Sequence, residues 1–156
     1  MQLHSSTADI RRLVYDLRPP ALDDLGLVEA LRTFITRSRS SQVHLDLRLA
    51  ESLPALSAAA EVAIYRIVQE AVVNVLRHAA ATSCVVTLRA EDSGVSVEVD
   101  DDGVGLGVDV TEGVGLRSMR ERAAELGGTC SVKGRPGVGT EVRIYLPRTS
   151  PVEIAG

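Results

Sequence analysis

Four polar side chains cluster on one side of an otherwise apolar segment in the middle of the chain. The segment from Ile64 to His78 reads IYRIVQEAVVNVLRH. At about 100° per residue of an α-helix, the four side chains fall within roughly a third of the circumference. They are Glu70, Asn74, Arg77 and His78. This patch could bind a ligand, although a solvated helix face with an Arg66–Glu70 pair at i, i+4 is the alternative.

A second candidate site follows a predicted strand. The segment Asp101 to Gly105 reads DDGVG, which places a carboxylate at a strand end before two glycines that let the backbone approach a ligand closely. Eight residues on, Gly113 to Gly115 opens a predicted helix, where free N–H groups and the positive end of the dipole favour a phosphate. The segment Leu106 to Glu112 between them could form a short mobile lid. Taken alone, either glycine pair is more often a turn.

The remaining candidates are weaker. Gly137 to Thr140 enters the last predicted strand, and a plain hairpin connection explains its glycines as well as a ligand would. His4 and His44 are predicted to lie on exposed faces. Cys84 and Cys130 lack metal-ligand spacing, so buried reduced thiols are expected. No nucleophile–base–orienter arrangement and no metal site made only of protein side chains is apparent.

The elements that must position these residues begin with the long central helix. Its apolar residues recur at the i, i+4, i+7, i+8 spacing of a core-facing stripe. They are Ile64, Val68, Ala71, Val72, Val75 and Leu76. Ser57 is the predicted N-cap, with Glu61 near the first turn, and the helix is expected to end near Ala79 to Ala81.

The order of the other elements predicts an α+β fold. Further helices are predicted over Met1 to Leu17, Leu25 to Arg39 and Leu116 to Leu126. Alternating strands are predicted over Val43 to Leu49, Cys84 to Ala90, Val95 to Asp100, Thr129 to Val132 and Glu141 to Leu146. Short turns indicate antiparallel pairing, and the alternation indicates one covered sheet face. We expect a two-layer α/β sandwich with a five-stranded, mixed, mainly antiparallel sheet and helices on one face, and no Rossmann βαβ rhythm.

Composition narrows the function classes. With 156 residues, 45% hydrophobic and 24% charged, the chain is expected to form one globular domain. A net charge of −4, one Phe and no Trp argue against a nucleic-acid partner. No apolar run reaches the roughly 18 residues of a membrane span, and the N-terminus lacks a signal-peptide pattern. A cytoplasmic fragment without membrane contact is therefore expected.

Four motifs in this order resemble those of a known superfamily. They are Glu70-x-x-x-Asn74, Asp101-x-Gly103-x-Gly105, Gly113-x-Gly115-Leu116 and Gly139-Thr140. They are similar to the N box, the two glycine boxes and the terminal threonine of the GHKL ATP-binding fold, which includes histidine kinases, gyrase, Hsp90 and MutL. DLRPPALDDLGL at Asp16 to Leu27 and LRSMRER at Leu116 to Arg122 resemble the NarL/DesK class of sensor histidine kinases, and the resemblance runs from about Leu13 to Pro147.

The resemblance implies a role for each motif. Asp101 would accept the adenine amino group, with support from Thr140. Asn74 would ligate the Mg²⁺ that bridges the ATP phosphates, and Glu70 would act as the base or polarise the attacking group. The remaining motif residues would lie near the nucleotide, with backbone amides cradling its phosphates: Arg77, His78, Gly103, Gly105, Gly113, Gly115 and Leu116.

The resemblance also implies a division of the chain. Residues 1–20 would be the end of a dimerisation helix and a linker, residues 21–147 the ATP-binding catalytic domain, and residues 148–156 a disordered tail. No counterpart of the family's phosphoacceptor histidine is present. The implied partners are the dimerisation domain of the parent kinase, which carries that histidine, and a response regulator. An anti-sigma-factor serine kinase, which lacks the Asp16 to Leu27 segment, and a non-catalytic docking module are the alternatives.

Overall fold

The structure, a computed structural model, describes residues 19–78, 80–104, 114–135 and 137–148. The elements within these ranges are α1 (Pro20–Ser38), β1 (His44–Leu49), α2 (Ala58–His78), β2 (Ser83–Ala90), β3 (Gly94–Asp101), α3 (Val114–Glu125), β4 (Thr129–Arg135) and β5 (Gly139–Pro147). The predicted first helix over Met1 to Leu17 and the predicted lid over Leu106 to Glu112 lie outside the described residues. So does the predicted tail beyond Arg148.

The five strands form one sheet in the order β1-β2-β3-β5-β4. β1 pairs with β2 in parallel, and the other three pairings are antiparallel. The β2–β3 hairpin closes with reciprocal bonds between Glu91 and Gly94, at 2.8 and 3.3 Å. The predicted five-stranded, mixed, mainly antiparallel sheet is confirmed. The parallel pair follows from α2, because a strand can return parallel to its predecessor only through a crossover.

The sheet has one apolar and one polar face. On β3, Val95, Val97 and Val99 are at most 1% exposed and face the helices. Glu98 alternates with them and binds two arginines on the neighbouring strands, Arg89 at 2.9 Å and Arg143 at 2.6 Å. Since successive residues of a strand point to opposite faces, Asp101 shares the helix-side face with the three valines.

The central helix α2 forms as its sequence predicts, with one exception. The Ser57 Oγ accepts a hydrogen bond from the Ala60 N–H at 3.0 Å, which confirms the predicted N-cap. Five of the six predicted stripe residues are buried: Ile64, Val68, Ala71, Val72 and Val75. The expectation for Leu76 is wrong, because its side chain is 38% exposed. It lies about 100° around the helix from the middle of the stripe, beyond the edge of the core.

Helix α1 begins earlier than predicted. It begins at Pro20, where a proline at the first helical position leaves no N–H without a partner, and Gly26 at φ 78° kinks it. The predicted helix begins only at Leu25. Four apolar residues after Gly26 are buried: Leu27, Ala30, Leu31 and Ile35. Phe34 is half-buried and meets the Tyr65 ring edge-on at 6.4 Å.

Helix α3 ends as predicted, at two glycines. Gly127 adopts φ 77°, and the Gly128 N–H donates to the Ala123 carbonyl at 2.9 Å. This is the six-to-one bond of a Schellman motif, which satisfies a carbonyl at the end of the helix. Met119 and Ala123 of α3 are fully buried and face the core.

Candidate functional site

The candidate site centres on Asp101, the last residue of β3. The sequence predicts that the strand ends at Asp100. In the structure Asp101 still belongs to the strand, because it pairs with Cys84 on β2 and with Thr140 on β5. Pairing on both sides extends the strand by one residue and fixes the direction of the carboxylate. Cys84 is fully buried, and this burial raises the pKa of its thiol to about 12. Cys130 is half-buried, and both cysteines are free.

The Asp101 carboxylate is a hydrogen-bond acceptor that is only partly exposed to water. The Gly103 N–H donates to Asp101 Oδ1 at 2.8 Å. Burial raises the pKa of Asp101, and the backbone N–H groups of Gly103 and Thr140 offset part of this rise. A half-buried carboxylate held by backbone donors can recognise an amino group on a ligand, because the direction of its oxygen atoms is fixed in advance.

Gly139 brings β5 close to the backbone of Asp101. A Cβ at this position would lie 1.9 Å from the Asp101 carbonyl oxygen, and Gly139 has φ 147°. Only a residue without a side chain permits this approach. The sequence assigned Gly139 either to a simple hairpin or to a ligand contact. Its role in positioning Asp101 depends on strand pairing, which the local sequence does not reveal.

The polar patch of α2 lies on the helix that packs against β2 and β3. Glu70 and Asn74 are half-buried and one helical turn apart, whereas Arg77 is exposed. Within the described part of the chain, neither the Glu70 nor the Asn74 side chain hydrogen-bonds or ion-pairs with another side chain. Arg66 instead donates to Gln69 Oε1 at 3.2 Å. His78 is the last residue of α2, and its side chain lies outside the description.

The glycine segments are described in part. Gly103 is buried, and Gly115 and Leu116 lie in the first turn of α3, which begins at Val114, two residues before the predicted Leu116. Gly105 and Gly113 lie outside the described residues. The Gly137 N–H donates to the Val104 carbonyl at 2.7 Å, which ties the β4–β5 turn to the segment behind Asp101.

Asp102 contributes a contact that the sequence does not reveal. Its Oδ1 accepts the Thr82 and Ser83 N–H groups at 2.8 and 2.9 Å, and its Oδ2 accepts the Thr82 hydroxyl at 2.6 Å. The Thr82 hydroxyl, followed by the Ser83 and Thr82 N–H groups, lowers the pKa of Asp102. An aspartate before glycine suggests a turn, but nothing local points to partners about 20 residues away.

The described ranges hold no group of three or more His, Cys, Asp or Glu side chains suited to a metal ion. None of their helices is long and apolar enough to cross a membrane.

Comparison with known proteins gives a family match over most of the described fold. Residues 59–150 match the model of the family described as histidine kinase-, DNA gyrase B-, and HSP90-like ATPase. The chain is 34% identical over 151 residues to the signal transduction histidine-protein kinase/phosphatase DegS of Brevibacillus brevis, covering 94% of the chain. It is 37% identical over 144 residues to UhpB of Salmonella typhimurium, covering 89% of the chain. The chain spans 39% of the first relative and 28% of the second.

Solved structures share the fold. The blue-light activated histidine kinase of Erythrobacter litoralis EL346 aligns with a TM-score of 0.68 at 24% identity, covering 81% of this chain and 43% of that one. The ATP binding domain of PrrB from Mycobacterium tuberculosis aligns with a TM-score of 0.63 at 22% identity, covering 80% of this chain and 93% of that one. These likenesses confirm the predicted sandwich.

Proposed function

The chain belongs to the histidine kinase-, DNA gyrase B-, and HSP90-like ATPase family, and from this premise we propose that it is the ATP-binding catalytic module of a two-component sensor histidine kinase. The observation that carries the proposal is the position of Asp101, held between Cys84 and Thr140 on the helix-side face of the sheet. The helix with Glu70 and Asn74 packs against the same strand. A base-recognising carboxylate and two phosphate-side residues thus belong to adjoining elements.

Base recognition is assigned to Asp101. Its carboxylate accepts a hydrogen bond from the exocyclic amino group of adenine, and Thr140 supports it from β5. Guanine presents a carbonyl oxygen at the equivalent position, which a carboxylate repels. The site therefore discriminates ATP from GTP, because the wrong base leaves a buried acceptor facing another acceptor.

Phosphate binding is assigned to α2 and the start of α3. Asn74 offers a half-buried amide oxygen without a side-chain partner in the described chain, which suits Mg²⁺, a hard cation that prefers oxygen ligands and retains several waters. When bound, Mg²⁺ would neutralise phosphate charge. Arg77 and His78 would lie near the phosphates. The N–H groups of Gly113 to Leu116 would bind them at the positive end of the α3 dipole.

The proposed reaction transfers the γ-phosphoryl group to a histidine on the dimerisation domain of the parent kinase. A bond forms between the imidazole nitrogen and the γ-phosphorus, the bond from that phosphorus to the β,γ-bridging oxygen breaks, and ADP leaves. Glu70 accepts the imidazole proton or polarises the ring. The phosphoryl group then passes to a response regulator. The relatives' names favour this acceptor over the serine of an anti-sigma-factor kinase.

We further propose the division of the chain that the resemblance implies. Residues 1–20 form the end of a dimerisation helix and a linker, residues 21–147 the catalytic domain, and residues 148–156 a tail. Since ATP is an intracellular substrate, the module acts in the cytoplasm.

The direct test is a calorimetric titration of the chain with ATP and with GTP in the presence of Mg²⁺. Saturable ATP binding that is at least about tenfold tighter than GTP binding supports the proposal. A folded chain that binds neither nucleotide, or both equally, contradicts it.

A further inference from the structure

Asp102 is unusual for an exposed carboxylate, because both of its oxygens are engaged by one short segment. Three donors converge on it from Thr82 and Ser83, at 2.6 to 2.9 Å. Its own N–H donates to the Ser83 carbonyl at 3.2 Å. Four hydrogen bonds therefore link one residue to two others, at the point where the β2–β3 pairing ends with Cys84 and Asp101.

Thr82 and Ser83, which Asp102 binds, follow shortly after α2, the helix that carries Glu70 and Asn74. Ala80 takes a left-handed conformation with φ 50°, and Ala81 is buried, so the chain turns sharply between the end of α2 and Thr82. The Thr82 carbonyl also accepts the His44 N–H at 2.8 Å, which ties Thr82 to β1. Asp102 directly follows Asp101, and its hydrogen bonds thus tie the end of β3 to a fixed point just beyond the helix of Glu70 and Asn74.

We propose that Asp102 is a positioning residue that fixes the Asp101 carboxylate for base recognition by fastening the end of β3 to Thr82 and Ser83. This inference rests on the proposed function, since it needs Asp101 to read the base. Both Asp102 oxygens already accept hydrogen bonds from Thr82 and Ser83, so we assign Asp102 a positioning role and not a contact with the nucleotide. Without this link only the strand pairing and the Gly103 N–H hold the turn from Asp101 to Gly103, and the direction of the Asp101 carboxylate is less strictly fixed.

The test measures base discrimination, taken as the ratio of GTP to ATP dissociation constants. A change that only destabilises the fold lowers the affinities for both nucleotides alike and leaves this ratio unchanged. Asp102→Ala should lower the ratio about five- to tenfold, the factor expected for losing one or two hydrogen bonds. Asp102→Asn should keep most of the wild-type ratio, because its carbonyl oxygen still accepts both backbone N–H groups.

Two further variants complete the design. Thr82→Val removes the hydroxyl donor while keeping Asp102 and its backbone partners, and should lower the ratio about two- to threefold. If Asp102→Ala does not fold, the ratio measured for Thr82→Val tests the positioning role in its place. Asp92→Ala is the matched control, an exposed aspartate in the turn at the other end of β3, and should leave the ratio unchanged.

The outcomes separate this inference from the function on which it rests. If Asp101→Asn abolishes discrimination while folded Asp102→Ala and Thr82→Val keep the wild-type ratio, the positioning role is overturned and the proposed function stands. If Asp101→Asn itself keeps the ratio, both are overturned. A ratio that falls in Asp102→Ala, recovers in Asp102→Asn and is unaffected in Asp92→Ala supports the inference.

Discussion

Two adjacent aspartates have different roles because a strand alternates its faces. Asp101 points to the helix side, where burial raises its pKa and the N–H groups of Gly103 and Thr140 offset part of the rise. Asp100 points to the open face. Burial and the charges of Glu141 and Glu98 raise its pKa, against the lowering effect of Arg143 and Arg89. The pKa of both aspartates is raised, but one is the proposed ligand acceptor and the other lies on a crowded acidic surface.

This difference gives a matched pair of variants. Asp101→Asn should weaken ATP binding by about 2 to 3 kcal/mol, because a charge-assisted hydrogen bond is replaced by a partly mismatched amide. Asp100→Asn makes the same chemical change one residue away on the opposite face, and should leave ATP affinity unchanged. Calorimetry checks both. Equal losses in the two variants would assign the effect to the charge of the strand rather than to adenine recognition.

Asp100 also carries a prediction for stability against pH. Because its folded pKa lies above its unfolded pKa, the folded state holds the proton more tightly, and the free energy of unfolding falls as pH rises through this window. Asn resembles the protonated acid, so Asp100→Asn should be more stable than the wild type at pH 7. Urea denaturation should show this advantage vanishing below the unfolded pKa of about 3.9. An advantage that persists there would exclude the carboxylate charge as its cause.

The two polar residues of α2 should separate metal binding from proton transfer. Asn74→Ala should weaken Mg·ATP binding or reduce its dependence on Mg²⁺, because it removes an oxygen ligand. Glu70→Gln should leave ATP affinity largely intact and lower phosphoryl transfer to a supplied acceptor by about 10²-fold or more. Calorimetry and a transfer assay distinguish the two effects. If both variants change only the free energy of unfolding, this side of α2 is an ordinary solvated face.

Among the secondary-structure elements, local signals set most boundaries and long-range pairing sets the rest. Ser57 at the start of α2 and Gly127 to Gly128 at the end of α3 are predictable, because a cap acts within a few residues of its own position. The last residue of β3 is not, since Asp101 belongs to the strand only through its neighbours on β2 and β5. The apolar periodicity also fails to predict the early part of α1, because Gly26 interrupts the helix before the apolar stripe begins.

Gly139 gives the clearest prediction about strand packing. Gly139→Ala should destabilise the protein by about 1 to 3 kcal/mol or more, because its Cβ would lie 1.9 Å from the Asp101 carbonyl oxygen. Gly137→Ala is the control in the same hairpin, with positive φ but nothing within 4 Å of the added Cβ. It should cost about 1 to 2 kcal/mol from backbone strain alone. Chemical denaturation measures both. A smaller loss for Gly139→Ala than for Gly137→Ala would contradict the close approach of β5.

In the whole molecule, the sequence predicts the layers better than the connections between distant residues. The hairpins and the covered sheet face follow from turns and alternation. The register of β1 on β2 and the link from Asp102 to Thr82 do not, because no local pattern joins residues that are distant in the chain. The motif residues could be named from the sequence by their resemblance to a family. The contacts that Gly139 and Asp102 make beside Asp101 became visible only with the fold.

Phosphoryl transfer from labelled ATP, with and without an added acceptor, tests the central claim most directly. The chain is incubated with γ-labelled ATP and Mg²⁺, first alone and then with a dimerisation fragment bearing the missing histidine. We expect no acid-labile, base-stable label on the chain alone. Its own histidines are ill placed: His44 lies exposed on β1, His78 ends α2 at the proposed phosphate site, and His4 lacks an acidic neighbour next in sequence to activate it. We expect label on the added fragment. Robust labelling of the chain alone, or no labelling of the fragment by a chain that binds ATP, would contradict the account.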